Sequence, residues 1–99
     1  MAEPIYKLWM TKPTEAWYQL SEEERSNHTA KTHEALAKIG GKVIISCTPA
    51  WSSEQWLMFG LEEYPDIEAV WTHTELLYSL DHFRYFESES MLGVKWPPE

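Results

Sequence analysis

Between Ser21 and Ile39 the chain has the spacing of a helix, but the stripe it should turn inward is polar. At 100° per residue, with Leu36 at the centre of the inner face, Arg25, Thr29, Thr32, His33 and Ile39 fall within about 60° of it, with His28 on the flank. The opposite side reads Glu23, Asn27, Lys31, Glu34 and Lys38, the wet side. Helices of small domains turn Leu, Ile and Val inward, and buried polar groups are costly unless paired or solvated. The pattern therefore predicts a water- or ligand-filled pocket under this helix, and with it a small-molecule site.

The remaining pattern supplies the partners of that helix. Ile5–Thr11 alternates as a strand, and Lys12–Pro13 is expected to end it because proline has no N–H for a ladder. Thr14–Leu20 reads as a short helix or an aromatic-bearing loop. Ser21 and Glu24 have capping-box spacing, and Gly40–Gly41 offers a left-handed stop. Lys42–Thr48 is a β-branched strand, Pro49–Ser53 a turn, and Glu54–Glu62 the antiparallel return strand. Tyr64–Pro65–Asp66 leads as a loop into a second helix, Ile67–Leu80, capped by Asp66. Its inner residues are Ile67, Val70, Thr74 and Leu77, with His73 about 60° off centre. Phe83–Glu89 reads as the last strand, followed by a tail from about residue 90 to Glu99. The order β-α-β-β-α-β is that of an α+β, ferredoxin-like single domain over residues 1–99: two helices on one face of a four-stranded antiparallel sheet. The other sheet face is left bare and apolar, and a symmetric homodimer would cover it.

Composition narrows the partners. Sixteen acidic against eight basic side chains give a net charge of −8 over 99 residues. Nucleic acid is thereby disfavoured as a partner, since its recognition needs clustered Lys and Arg, and no basic amphipathic helix addresses a membrane. There is no long apolar run or signal-like segment, and the lone Cys47 suits a reducing compartment, so a cytoplasmic protein is expected. Six Trp, five Tyr and three Phe offer lining for a cavity or a subunit interface. Metal binding is not expected: there is no His-x-x-x-His or Cys-x-x-Cys.

The element order, the length and the late aromatic strand give the chain, over most of residues 3–90, a resemblance to the dimeric α/β-barrel superfamily. Within it the chain is similar to small polyketide cyclases and cofactor-independent antibiotic-biosynthesis monooxygenases; muconolactone isomerases and haem-degrading monooxygenases are further members. The resemblance implies a homodimer, a pocket between sheet and helices of each protomer, and chemistry without a cofactor. Haem-degrading members resemble one another in an Asn on the first strand and a Trp and a His on the second helix. Here the first strand offers Lys7 instead, and Trp71 and His73 stand at a different separation. The small cyclases use a Tyr and a His near the second helix, residue types that Tyr78 and His82 supply.

Candidate chemistry follows from residue type. His33 and His73 are the candidate general acid and base near neutral pH, and Arg25 the candidate group for holding an enolate or carboxylate oxygen. His28, Thr29, Thr32, Trp17, Thr74, Trp71, Tyr78, His82 and Tyr85 are candidate substrate-binding residues, Asp81 being placed to orient His82. Each has a plainer reading: a histidine tied to a sheet carbonyl, Arg25 in a salt bridge to Glu22, Trp17 closing the core. The expectation is a cofactor-free isomerase or cyclase acting on a small hydrophobic, aromatic or polyketide-like molecule. The alternatives are a cofactor-free monooxygenase of an electron-rich phenol and a non-catalytic ligand-binding dimer.

Overall fold

The computed structural model describes residues 3–48 and 51–97. Eight elements follow one another: β1 (Ile5–Pro13), α1 (Glu15–Tyr18), α2 (Glu22–Lys38), β2 (Lys42–Cys47), β3 (Met58–Tyr64), α3 (Ile67–Ser79), α4 (His82–Tyr85) and β4 (Phe86–Gly93). The strands form one antiparallel sheet in the order β2-β3-β1-β4. With the two long helices on one face this is the ferredoxin-like arrangement, and α1 and α4 are single-turn additions to it.

Local chemistry explains the helix ends. Ser21 and Glu24 form the reciprocal capping box at the start of α2, with bonds of 3.0 and 3.1 Å. Gly40, at φ +78°, ends that helix: Gly41 N–H reaches Leu36 O at 2.9 Å and Gly40 N–H reaches Ala37 O at 3.1 Å, a Schellman stop. Asp66 caps α3 through Ala69 N–H at 2.8 Å.

The strand boundaries differ from the sequence expectation. β1 runs through Lys12 and Pro13, which pair with Glu87 and Phe86 of β4. The β1–β3 ladder has already ended at Thr11↔Met58, so proline's missing donor costs nothing there. β3 starts at Met58, not Glu54, and it continues through Tyr64, which is strand and not loop. The last strand starts at Phe86, because His82–Tyr85 coil into α4 after Asp81, which is left-handed at φ 58°. Of the turn expected at Pro49–Ser53, residues 49–50 lie outside the described residues; Trp51 and Ser52 are in a turn.

The core is small and lies at one end. Leu36, Tyr64, Ala69 and Val70 pack together with Ile5 and Ile39, and Tyr64 is 0% exposed. Ile67, expected inward, is exposed. On the helix side of the sheet, below this core, the register stacks Lys7 opposite Glu62, Trp9 opposite Gly60, and Thr11 opposite Met58. Gly60 is required there: a Cβ would lie 2.5 Å from Trp9 Cζ2 and 2.6 Å from Ile45 O. The other sheet face is open, with Leu8, Ile45 and Met91 exposed on neighbouring strands.

Candidate active site

Below that core the helices and the sheet do not close on each other. They enclose a cavity of about 370 Å³, within the size range of small-molecule sites. Lys7, Trp9 and Thr11 from β1, Glu62 from β3, and Ser88 and Ser90 from β4 form its floor. His28, Thr29, Thr32, His33 and Leu36 come from α2, His73, Thr74 and Leu77 from α3, and His82, Phe83 and Phe86 from the segment around α4.

Two hydrogen-bonded units hold the imidazoles. Tyr64 OH donates to Glu62 Oε1 at 2.7 Å and lies 3.0 Å from His73 Nδ1. A phenol has one proton, so with it on Glu62 the second contact requires His73 Nδ1–H as donor. This puts a proton on His73 Nδ1, so that the neutral form of the ring carries its lone pair on Nε2. Burial, then the charge of Lys7, pushes His73 down to about 4, and its residue is only 4% exposed. Burial first and then the Glu62 carboxylate raise the Tyr64 phenol, so it stays protonated.

The second unit is the pair His28 Nε2···His82 Nδ1 at 3.1 Å, with the rings stacked at 5.3 Å. Burial, followed by His28, His73 and Lys7, pushes His82 down to about 4. His28 is lowered by burial and by Lys31, against the opposing Asp81. Trp17 and Tyr85 meet His28 edge-on and Phe86 stacks on it, while Trp17 packs edge-on to Tyr85 and tilted on Phe86, bracing the His28 ring. Thr14 ties this end shut through Arg84 O at 2.7 Å and Tyr85 O at 2.8 Å.

Several candidate residues take places other than those expected. His28, at 8% exposure, is the buried histidine of α2, and His33 is an exposed residue of the cavity rim. The buried residues of α2 are His28, Ala35 and Leu36, which centres the buried face about 60° from Leu36 toward His28. Arg25 does not line the cavity: its guanidinium donates to Trp17 O at 3.3 Å and Tyr18 O at 3.1 Å, fastening α1 to α2. Trp71 and Tyr78 lie outside the cavity, 72% and 66% exposed, Tyr78 against the ring of Phe83. Trp17 and Tyr85 stand behind the cavity wall. Thr32 and Thr74 line it while their hydroxyls bond to Thr29 O and Val70 O, at 2.8 and 3.0 Å. His82 is oriented by His28; no hydrogen bond joins it to Asp81 among the described residues.

Sequence reasoning did not single out Glu62 and Tyr64, and it left Lys7 without a sheet face. Their i, i+2 spacing on one strand and the Lys7↔Glu62 register put all three on the helix side, a signal that needs the strand pairing first. Among the described residues no three of His, Cys, Asp and Glu converge as a metal site would require. No described helix is long and apolar enough to cross a membrane.

The chain is similar in structure to proteins of unassigned role. A Rhodopseudomonas palustris protein of unknown function matches with a TM-score of 0.68 at 17% identity, over 99% of this chain and 86% of that one. Its methylated form matches at 0.66 and 16%, over 99% and 84%. A Bacteroides fragilis protein of unknown function, described as dimeric and ferredoxin-like, matches at 0.50 and 14%, over 93% and 96%. At these identities the likeness is one of fold. No protein-family model and no curated protein matches the chain.

Proposed function

We propose that this protein is a cofactor-independent acid/base enzyme that isomerises or cyclises a small aromatic or polyketide-like compound through an enolate. The observation that carries this reading is the Glu62–Tyr64–His73 chain, which ends in an imidazole that lines the cavity. A carboxylate that orients a neutral histidine through an intervening group is a general-base arrangement. Lys7 is placed to stabilise the oxyanion that forms when His73 Nε2 removes a proton next to a carbonyl. Trp9, Leu36, Leu77, Phe83 and Phe86 supply apolar walls for a flat ring. A phenol deprotonated in the same place would be primed for reaction with oxygen, which keeps the monooxygenase variant within this reading. The open sheet face and the dimeric ferredoxin-like neighbour support a homodimer.

Non-catalytic ligand binding is the second reading. What favours it is that imidazoles held at about 4 are weak bases. Proton exchange separates the two. With phenylacetone in D₂O, the methylene signal in NMR is expected to vanish faster than in buffer, and His73→Ala to lose the acceleration by about 10²–10⁴-fold. Exchange at the buffer rate with the native protein would leave only the binding reading.

A further inference from the structure

We infer that Lys7 is an anion subsite, so that the occupant of the cavity is an aromatic carboxylate or an equivalent small organic anion, its charge on Lys7 Nζ and its ring against Trp9, Phe83 and Phe86. This rests on the reading that the cavity takes a small aromatic molecule, and it adds the charge that molecule carries. Lys7 lies on a central strand, faces the cavity, and has no salt bridge among the described residues. Glu62, its cross-strand neighbour, acts on it electrostatically, but its Oε1 already accepts the Tyr64 hydroxyl. Glu62 is also the one carboxylate that lines the cavity among the described residues. A half-buried ammonium without a close counter-ion is a costly arrangement that a bound anion offsets.

The neighbouring groups make the consequence readable. Lys7 shares the cavity with Glu62, His73 and His82, with Tyr64 bonded behind Glu62 and His73, His28 beside His82 and His33 at the rim; Asp81 and Lys31 act on His28. Lys7 is among the causes that hold His73 and His82 neutral. An anion seated on its ammonium cancels part of that field, so both imidazoles become stronger bases when the site fills. Burial, the leading cause of both low values, remains, so the change is confined to the part that Lys7 contributes.

The test is calorimetric titration of the full chain at pH 5.5 with benzoate and with benzamide, which has the same ring without the charge, each in two buffers of different ionisation enthalpy. Benzoate is expected to bind at least tenfold tighter than benzamide and to take up protons on binding. Lys7→Met should abolish the preference, and Lys7→Arg should retain most of it. Equal affinity for the two probes would overturn the anion subsite and leave the aromatic-cavity reading standing. Binding of neither probe would overturn both. Tight benzoate binding without proton uptake would overturn the coupling to the histidines.

Discussion

Tyr64 is the residue on which the site turns. It closes the core at its ring and joins Glu62 to His73 at its hydroxyl, so one side chain sets both packing and tautomer. The neutral state that burial and Lys7 impose on His73 has a pH signature. His73 titrates near 4 in the folded chain against an ordinary 6.5, so the unfolded chain binds more protons between these values. The stabilisation is complete above about 6.5 and is lost as the pH falls toward 4, on the order of 3 kcal/mol for this group. The urea midpoint should therefore drop between pH 7 and pH 5, and His73→Gln should shrink that drop. A midpoint equal at both pH values in the native protein would refute a neutral buried His73. None of this was legible in the one-dimensional pattern, because Tyr64 sits where Tyr-Pro-Asp spells a loop. The His28–His82 pair likewise joins positions that the sequence separates by 54 residues.

At the scale of elements, the helices and their caps could be read directly. Ser21, Glu24, Gly40 and Asp66 act through backbone groups one turn away, and local chemistry of that kind survives in any tertiary setting. The rotation of α2 was not local. Leu36 alone marked its inner face, and the buried stripe proves to run through Ala35 and His28 as well. The polar stripe did foretell a hollow beneath the helix, although His33 and His28 exchanged depth. Strand ends drifted too: Glu54–Leu57 precede the ladder, where among the described residues only Leu57 N–H reaches the sheet, at Thr11 O, 3.0 Å away. One tight fit between elements is Gly60 under Trp9. Gly60→Ala forces the indole or β2 to move and should cost about 1–3 kcal/mol in chemical denaturation. An unchanged midpoint would mean the indole is free to swing away.

For the molecule as a whole, the notable asymmetry is between its two sheet faces. One is roofed by α2 and α3; the other presents Tyr6, Leu8, Met10, Phe59, Leu61 and Met91 on adjacent strands of a body only 16 Å thick. A slab so thin buries too little apolar surface by itself. Sedimentation should find two copies, and Leu8→Glu, at the centre of that face, should shift the equilibrium to one copy and lower the melting temperature. A single copy in the native protein at micromolar concentration would refute the pairing. The element order sufficed to anticipate this face, since topology alone decides which side the helices leave uncovered.

The hollow beneath α2 is also unfinished core. An interior normally completed by leucines is here open, and a ligand of the kind proposed would supply the missing contacts. Any compound that belongs there will harden the fold, by about 2.7 kcal/mol at a hundred times its dissociation constant. Melting curves measured across a collection of small organic acids thus become a direct way to let the protein select its own substrate.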